Sequence, residues 1–203
     1  LGLWSDATEA ALGRVLKALR RHADMPVALQ LAHAGRKAST RIPWQGGGQV
    51  APDQGGWRTV APSPLAFAEA DAPPAALTGP GLIRIREAFA DAARRAGRLG
   101  LDAIEVHAAH GYLLHQFLSP LANARADQYG GSLENRMRFP LEVFAAVRAA
   151  FPAGKPVGVR ISATDWLAGG WDLEQSVAFG RALRNLGCAY IHVSSGGVSP
   201  RQE

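Results

Sequence analysis

A chain of 203 residues, 47% hydrophobic and 19% charged, carries enough apolar side chains for one domain with a sizeable core and is too apolar to read as disordered. Its single cysteine, Cys188, excludes an intrachain disulfide and any thiolate metal cluster. The formal net charge of +5 is scattered over Arg-rich segments such as "ARRAGR" and "RALR", which read as solvated helix faces and not as a nucleic-acid surface.

The chain opens at Leu1 without Met or a charged-then-apolar leader, and no apolar run approaches the ~20 residues of a membrane span. The expectation is a soluble, cytoplasmic protein with no membrane partner, and a piece of a longer polypeptide.

The elements follow a repeating plan. Residues 6–26 carry Leu and Val at helical spacing behind an Asp or Thr cap and stop at Pro26, after which "VALQLAH" is strand-like. Residues 34–80 are rich in Gly, Pro and Trp and predict a long loop, which inside a compact domain points to function. A helix over 80–98 closes at Gly100 and leads into the strand "DAIEVHA". After an irregular stretch, "ENRMRFPLEVFAAVRAAF" predicts a helix broken or kinked near Pro140, followed by the strand "VGVRISA". A last helix over 173–186 ends at Gly187, before "AYIHVSSGG".

Strands alternating with helices call for a parallel sheet, because parallel neighbours need a crossover. A doubly wound nucleotide-binding sheet would carry a turn such as GxGxxG after its first strand, and none is present. Polar groups instead end each strand: Gln30 and His33, His107 and His110, Arg160 and Ser162, Ser194 and Ser195. That pattern favours an α/β fold of the (β/α)8 TIM barrel type, whose sites lie at the C-terminal strand ends. Four such units make half of a barrel that takes about 250 residues. One partial barrel domain over residues 1–203 is therefore expected, with two unpaired sheet edges that favour instability or aggregation.

"HAAHGY" at residues 107–112 carries the sharpest chemistry. Alternation along the strand puts His107 on the face of Glu105, and a turn can bring His110 beside it. A metal reading, as in a barrel hydrolase using His107, His110 and Glu105 or His115, lacks a recognised ligand spacing. The competing reading is a pair of neutral imidazole donors for a carbonyl or nitro oxygen, with the Tyr112 hydroxyl as proton donor. Gln30 offers an amide suited to the imide edge of a flavin or pyrimidine. Arg160, costly inside an apolar strand, calls for an anionic or electron-rich partner or for an ion pair with Glu105.

In order and spacing, "QLAHAGRKAS", "EVHAAHGYLLHQFLSPLANARADQYGGSLENRMRF", "VRISATDW" and "VSSGG" resemble the old yellow enzyme family, in the bacterial branch with His-x-x-His. The resemblance spans essentially the whole chain and implies strands three to six of the barrel. It implies FMN as cofactor, bound through Gln30 and Arg160, and NADPH or NADH as reductant. His107 and His110 would hold the substrate oxygen and Tyr112 would donate the proton. The implied activity is that of an NADPH dehydrogenase or ene-reductase, reducing enones, nitro compounds or quinone-like molecules by ping-pong hydride transfer. Ala124 and His192 depart from the pattern, which leads one to expect a basic and an acidic residue there. The remaining flavin contacts and the FMN phosphate site would lie in units outside these strands. The isolated stretch is expected to be inactive, with homo-oligomers among the forms open to the full-length protein.

Overall fold

The computed structural model describes residues 2–202. Its elements run α1 (Asp6–Leu19), β1 (Ala28–Leu31), β2 (Val60–Ala61), β3 (Ala75–Ala76), α2 (Gly79–Arg98), β4 (Ala103–Ala108), α3 (Leu113–Leu118), α4 (Leu133–Ala150), β5 (Val157–Ser162), α5 (Leu173–Asn185) and β6 (Ile191–Ser194). Four strands form one parallel sheet in the order β1-β4-β5-β6, with helical crossovers between successive members. That is the order of consecutive strands in a barrel wall. Among the described residues, no helix is long and apolar enough to cross a membrane.

The pleat divides this sheet into a dry face and a wet one. Ile104, Val106 and Ala108 of β4 and Val157, Val159 and Ile161 of β5 are buried in one core with Phe89 and Ala93 of α2 and Phe139, Val143 and Val147 of α4. The alternate residues carry polar groups, and the register levels them: Gln30 beside Glu105, and His107 beside Arg160 beside His192. A side-chain period of two thus sends the apolar set to the helices and the polar set to the barrel interior.

Local chemistry accounts for the element ends, with three departures from the sequence reading. The cap of α1 is Ser5, which forms a reciprocal capping box with Thr8, not Asp6 or Thr8. Helix α4 runs unbroken through Pro140. The lost N–H and the ring clash cost about 3 kcal/mol, and the buried Phe139, Val143, Phe144 and Val147 on both sides of the proline hold the helix against that cost. Helix α3 was not expected, because it is only six residues long and all of them, His115 and Gln116 included, are buried, so no exposed polar face sets up a helical periodicity.

The irregular stretch after α3 is pinned by side chains that reach backbone carbonyls. Asn123 Nδ2 donates to Phe117 O and Tyr129 O, each at 2.8 Å. Arg125 donates to Pro62 O at 2.9 Å and Leu77 O at 2.7 Å, tying the loop to the segment between β1 and α2. Arg136 reaches Leu118 O, Gly131 O and the Gln175 side chain. These Arg and Asn residues have a structural use that accounts for their density.

Phe139 is fully buried, 4.6 Å between ring centroids from Phe117 and edge-on to Tyr129. Phe139→Ala is expected to lower unfolding stability by about 3–5 kcal/mol in a urea melt, whereas Val193→Ala on the exposed β6 should change it little.

Candidate active site at the strand ends

The site is built on a reversal that follows β4. His110 and Gly111 both take left-handed backbone, with φ of 54° and 69°, and the Tyr112 N–H closes the turn on Ala109 O at 3.1 Å. A Cβ on Gly111 would run into the carbonyl of Gly197, so the close approach of the loop after β6 requires glycine there. His110 is anchored to the next two strands of the sheet, β5 and β6. Its N–H donates to Ser162 Oγ at 2.9 Å, Ser162 in turn donates to Gly196 O at 2.8 Å, and its Nε2 lies 2.7 Å from Ser194 Oγ.

This turn stacks three rings at the mouth of the barrel wall. The centroids of His107 and His110 are 5.1 Å apart, and Tyr112 stands edge-on to His107 at 5.1 Å. All five residues singled out in the sequence, Gln30, His107, His110, Tyr112 and Arg160, line one cleft of about 720 Å³. The chain from Gly46 to Gln49, with Phe67 and Asp71, forms its opposite wall.

Electrostatics keep both imidazoles neutral. His107 is buried with Nδ1 unpartnered, and burial, reinforced by Arg160 and by the repulsion a protonated His110 would add, pushes its pKa down to about 4. His110 is lowered for the same reasons, burial first and Arg160 next. The tautomer of His110 is coupled to this contact: a Ser194 hydroxyl that donates to Nε2 leaves the ring proton on Nδ1.

Glu105 does not pair with Arg160. It accepts from Gln30 Nε2 at 2.6 Å and lies 3.2 Å from His192 Nδ1. Both neighbours reach it because they share its face of the sheet, and the barrel interior is the only place these side chains can meet. Arg160 Nε is left buried without a partner. His115 likewise turns away from the cleft, so neither proposed additional metal ligand converges with His107 and His110. Among the described residues, no three His, Cys, Asp or Glu side chains gather as metal ligands.

Two lining residues escaped the sequence reading. The short 3₁₀ turn Gly35–Lys37 after β1 aims Arg36 and Lys37 inward. Buried Arg36 donates to Leu65 O, Ala66 O and Val198 O at 3.0, 3.1 and 2.6 Å. Lys37 Nζ donates to His110 O at 3.0 Å and Gly197 O at 3.1 Å and sits 4.5 Å from the centre of the Phe67 ring. Burial lowers the pKa of both. The available signal was two adjacent cations in "HAGRKA", directly after a strand end.

The His107 shift has a definite sign. Its folded pKa of about 4 lies below the ordinary imidazole value of 6.5, so the unfolded chain binds more protons between those values and stability falls as pH drops through that window. An NMR titration should place the His107 midpoint near 4, and His107→Phe should flatten the loss of urea stability between pH 6.5 and 4.

The profile of the NADH:flavin oxidoreductase / NADH oxidase family matches residues 1–196. The chain is 41% identical over 215 residues to NADH:flavin oxidoreductase FG08077 of Gibberella zeae, covering 99% of this chain and 52% of that protein. It is 41% identical over 198 residues to an NADPH dehydrogenase of Listeria innocua, covering 98% and 53%. Among solved structures, morphinone reductase superposes with a TM-score of 0.76 at 37% identity, over 95% of this chain and 53% of its own. The chain thus spans about half the length of these proteins. Sequence and architecture together place it in the NADH:flavin oxidoreductase / NADH oxidase family, the old yellow enzymes, of whose (β/α)8 barrel it forms about half.

Proposed function

We propose that the protein is an FMN-dependent NAD(P)H oxidoreductase of the ene-reductase kind and that this chain supplies its acceptor-binding side. The observation that carries the reading is the set of unpartnered polar atoms, His107 Nδ1 and Arg160 Nε, buried on the wall of a cleft that also holds His110, Tyr112 and Gln30. Buried polar atoms without partners are rare unless a ligand meets them.

The residues fit a planar, electron-rich ring that can carry negative charge. Gln30 Nε2 is committed to Glu105, which leaves Gln30 Oε1 free to accept a ring N–H. Arg160, with no carboxylate against it, sits one strand over and favours an anionic pyrimidine end. FMN supplies a two-electron carrier that takes hydride from NADPH or NADH and yields it to a second molecule.

The chemistry left to this chain is positioning and proton supply. Neutral His107 and His110 direct N–H groups at one acceptor oxygen and stabilise the enolate-like charge that grows there. Tyr112, edge-on to His107, holds a proton on its hydroxyl within the same cleft and delivers it to the α-carbon of an activated alkene. An enone or nitroalkene satisfies this arrangement, since its oxygen takes the two donors and its β-carbon remains the electrophile.

The FMN-loaded protein is expected to bleach under anaerobic NADPH and to recover its yellow absorbance on adding cyclohexenone. His107→Ala and His110→Ala should each cut cyclohexenone turnover by about 100-fold with flavin content retained, the loss expected for one oxyanion donor. Tyr112→Phe should slow the alkene step by about 100-fold and spare the NADPH step. Absorbance that NADPH fails to bleach, or variants that lose flavin while keeping turnover per flavin, would sink the reading.

A further inference from the structure

Behind the cleft, polar groups converge on the peptide unit that joins His110 to Tyr112. The Gly111 N–H donates to His115 Nδ1 at 2.9 Å, and the Gly111 carbonyl accepts from Gln116 Nε2 at 2.7 Å. A ring nitrogen that accepts carries no proton, so neutral His115 has its proton on Nε2. That atom lies 2.9 Å from Asp165 Oδ1, close enough for an ion-pair contact though not aligned as a hydrogen bond; both side chains are completely buried, and neither atom has a hydrogen-bonding partner elsewhere. The second carboxylate oxygen, Oδ2, accepts from the Ser119 hydroxyl at 2.6 Å and from the Trp171 N–H at 2.8 Å.

We propose that His115 and Asp165 are positioning residues: the buried carboxylate fixes the Nε2–H tautomer of His115, and the ring then holds the Gly111 N–H and the turn that presents His110 and Tyr112. The functional consequence rests on the acceptor-binding role given to those two residues. Neither His115 nor Asp165 lines the cleft, so both act through Gly111.

The donor pattern around Asp165 makes the tautomer lock testable by changing one atom. In Asp165→Asn the Trp171 backbone N–H cannot turn away, so the amide oxygen has to take the Oδ2 position and the NH2 group the Oδ1 position. The NH2 then faces His115 Nε2 and makes it an acceptor. The proton moves to Nδ1, where it meets the Gly111 N–H donor to donor. A change that conserves volume thereby turns an attractive contact into a repulsive one at the site's central turn. His115→Asn, by contrast, keeps an acceptor at the Nδ1 position and should preserve the Gly111 bond.

The tautomer is read first by ¹⁵N-histidine NMR on the cofactor-free full-length protein. His115 is expected to show an unprotonated Nδ1, the pattern should invert in Asp165→Asn, and Gly111 amide exchange should quicken roughly tenfold or more. In the FMN-loaded protein, Asp165→Asn and His115→Leu should raise the phenol dissociation constant roughly tenfold while NADPH still bleaches the flavin at the wild-type rate. His115→Asn should recover most of the phenol affinity. An Asp165→Asn protein with an unchanged tautomer, or with an inverted tautomer and wild-type phenol affinity, overturns the proposal. Should Asp165→Asn fail to fold, equal phenol affinity in His115→Asn and His115→Leu overturns it instead. A wild-type protein that binds no phenol overturns the acceptor-binding reading, and the cofactor-free NMR still decides the tautomer lock.

Discussion

Two consecutive residues in left-handed backbone, His110 and Gly111, reverse the chain at the end of β4, and the polar groups of the cleft take their places relative to that reversal. Left-handed conformation is costly for a residue with a side chain and persists only where the surroundings fix it. Here the fixing is multiple: Ser162 holds the His110 N–H, Lys37 the His110 carbonyl, His115 the Gly111 N–H and Gln116 the Gly111 carbonyl. Every backbone group of the two residues is engaged by a different side chain. Rigidity at this turn therefore comes from other elements, and it is paid out as a fixed spacing between the His107, His110 and Tyr112 rings.

The second organising fact is uncompensated charge. Arg36, Lys37 and Arg160 all border the cleft, and among the described residues none of them forms an ion pair. Arg36 and Lys37 are held by carbonyl oxygens, which accept from the guanidinium Nη1 and Nη2 and from the ammonium without cancelling the charge. The interior potential is therefore positive, which together with burial keeps His107 and His110 unprotonated. Hydrogen-bond satisfaction and electrostatic neutralisation are separated here, and that separation leaves attraction available for an electron-rich guest.

The sequence carried much of this because two periodicities are local. Alternation along β4 and β5 and helical spacing in α1, α2 and α5 are set by which face each element buries, so the unit order and the inward set Gln30, His107 and Arg160 could be read without coordinates. Helix α3 was illegible because it is short and its polar residues, His115 and Gln116, are buried with the apolar ones, so no exposed face marks it. The unbroken α4 was illegible because the packing that outweighs Pro140 comes from distant chain. Arg36 and Lys37 were not singled out because the carbonyls that capture them lie far along the sequence. The alternative of an ion pair between Arg160 and Glu105 could not be decided from the sequence, since strand register, and not alternation alone, sets Gln30 beside Glu105.

The carbonyl captures by Arg36 and Lys37 also bear on how the molecule reaches this state. The bonds from Arg36 to Val198 and from Lys37 to Gly197 span 162 and 160 positions of the chain. Contacts between such distant positions carry the largest loop-closure cost and come after local helix and strand pairing in a folding chain. These two bonds therefore close the longest loops of the cleft, and their charged donors keep solvation that the carbonyls of the loop after β6 replace.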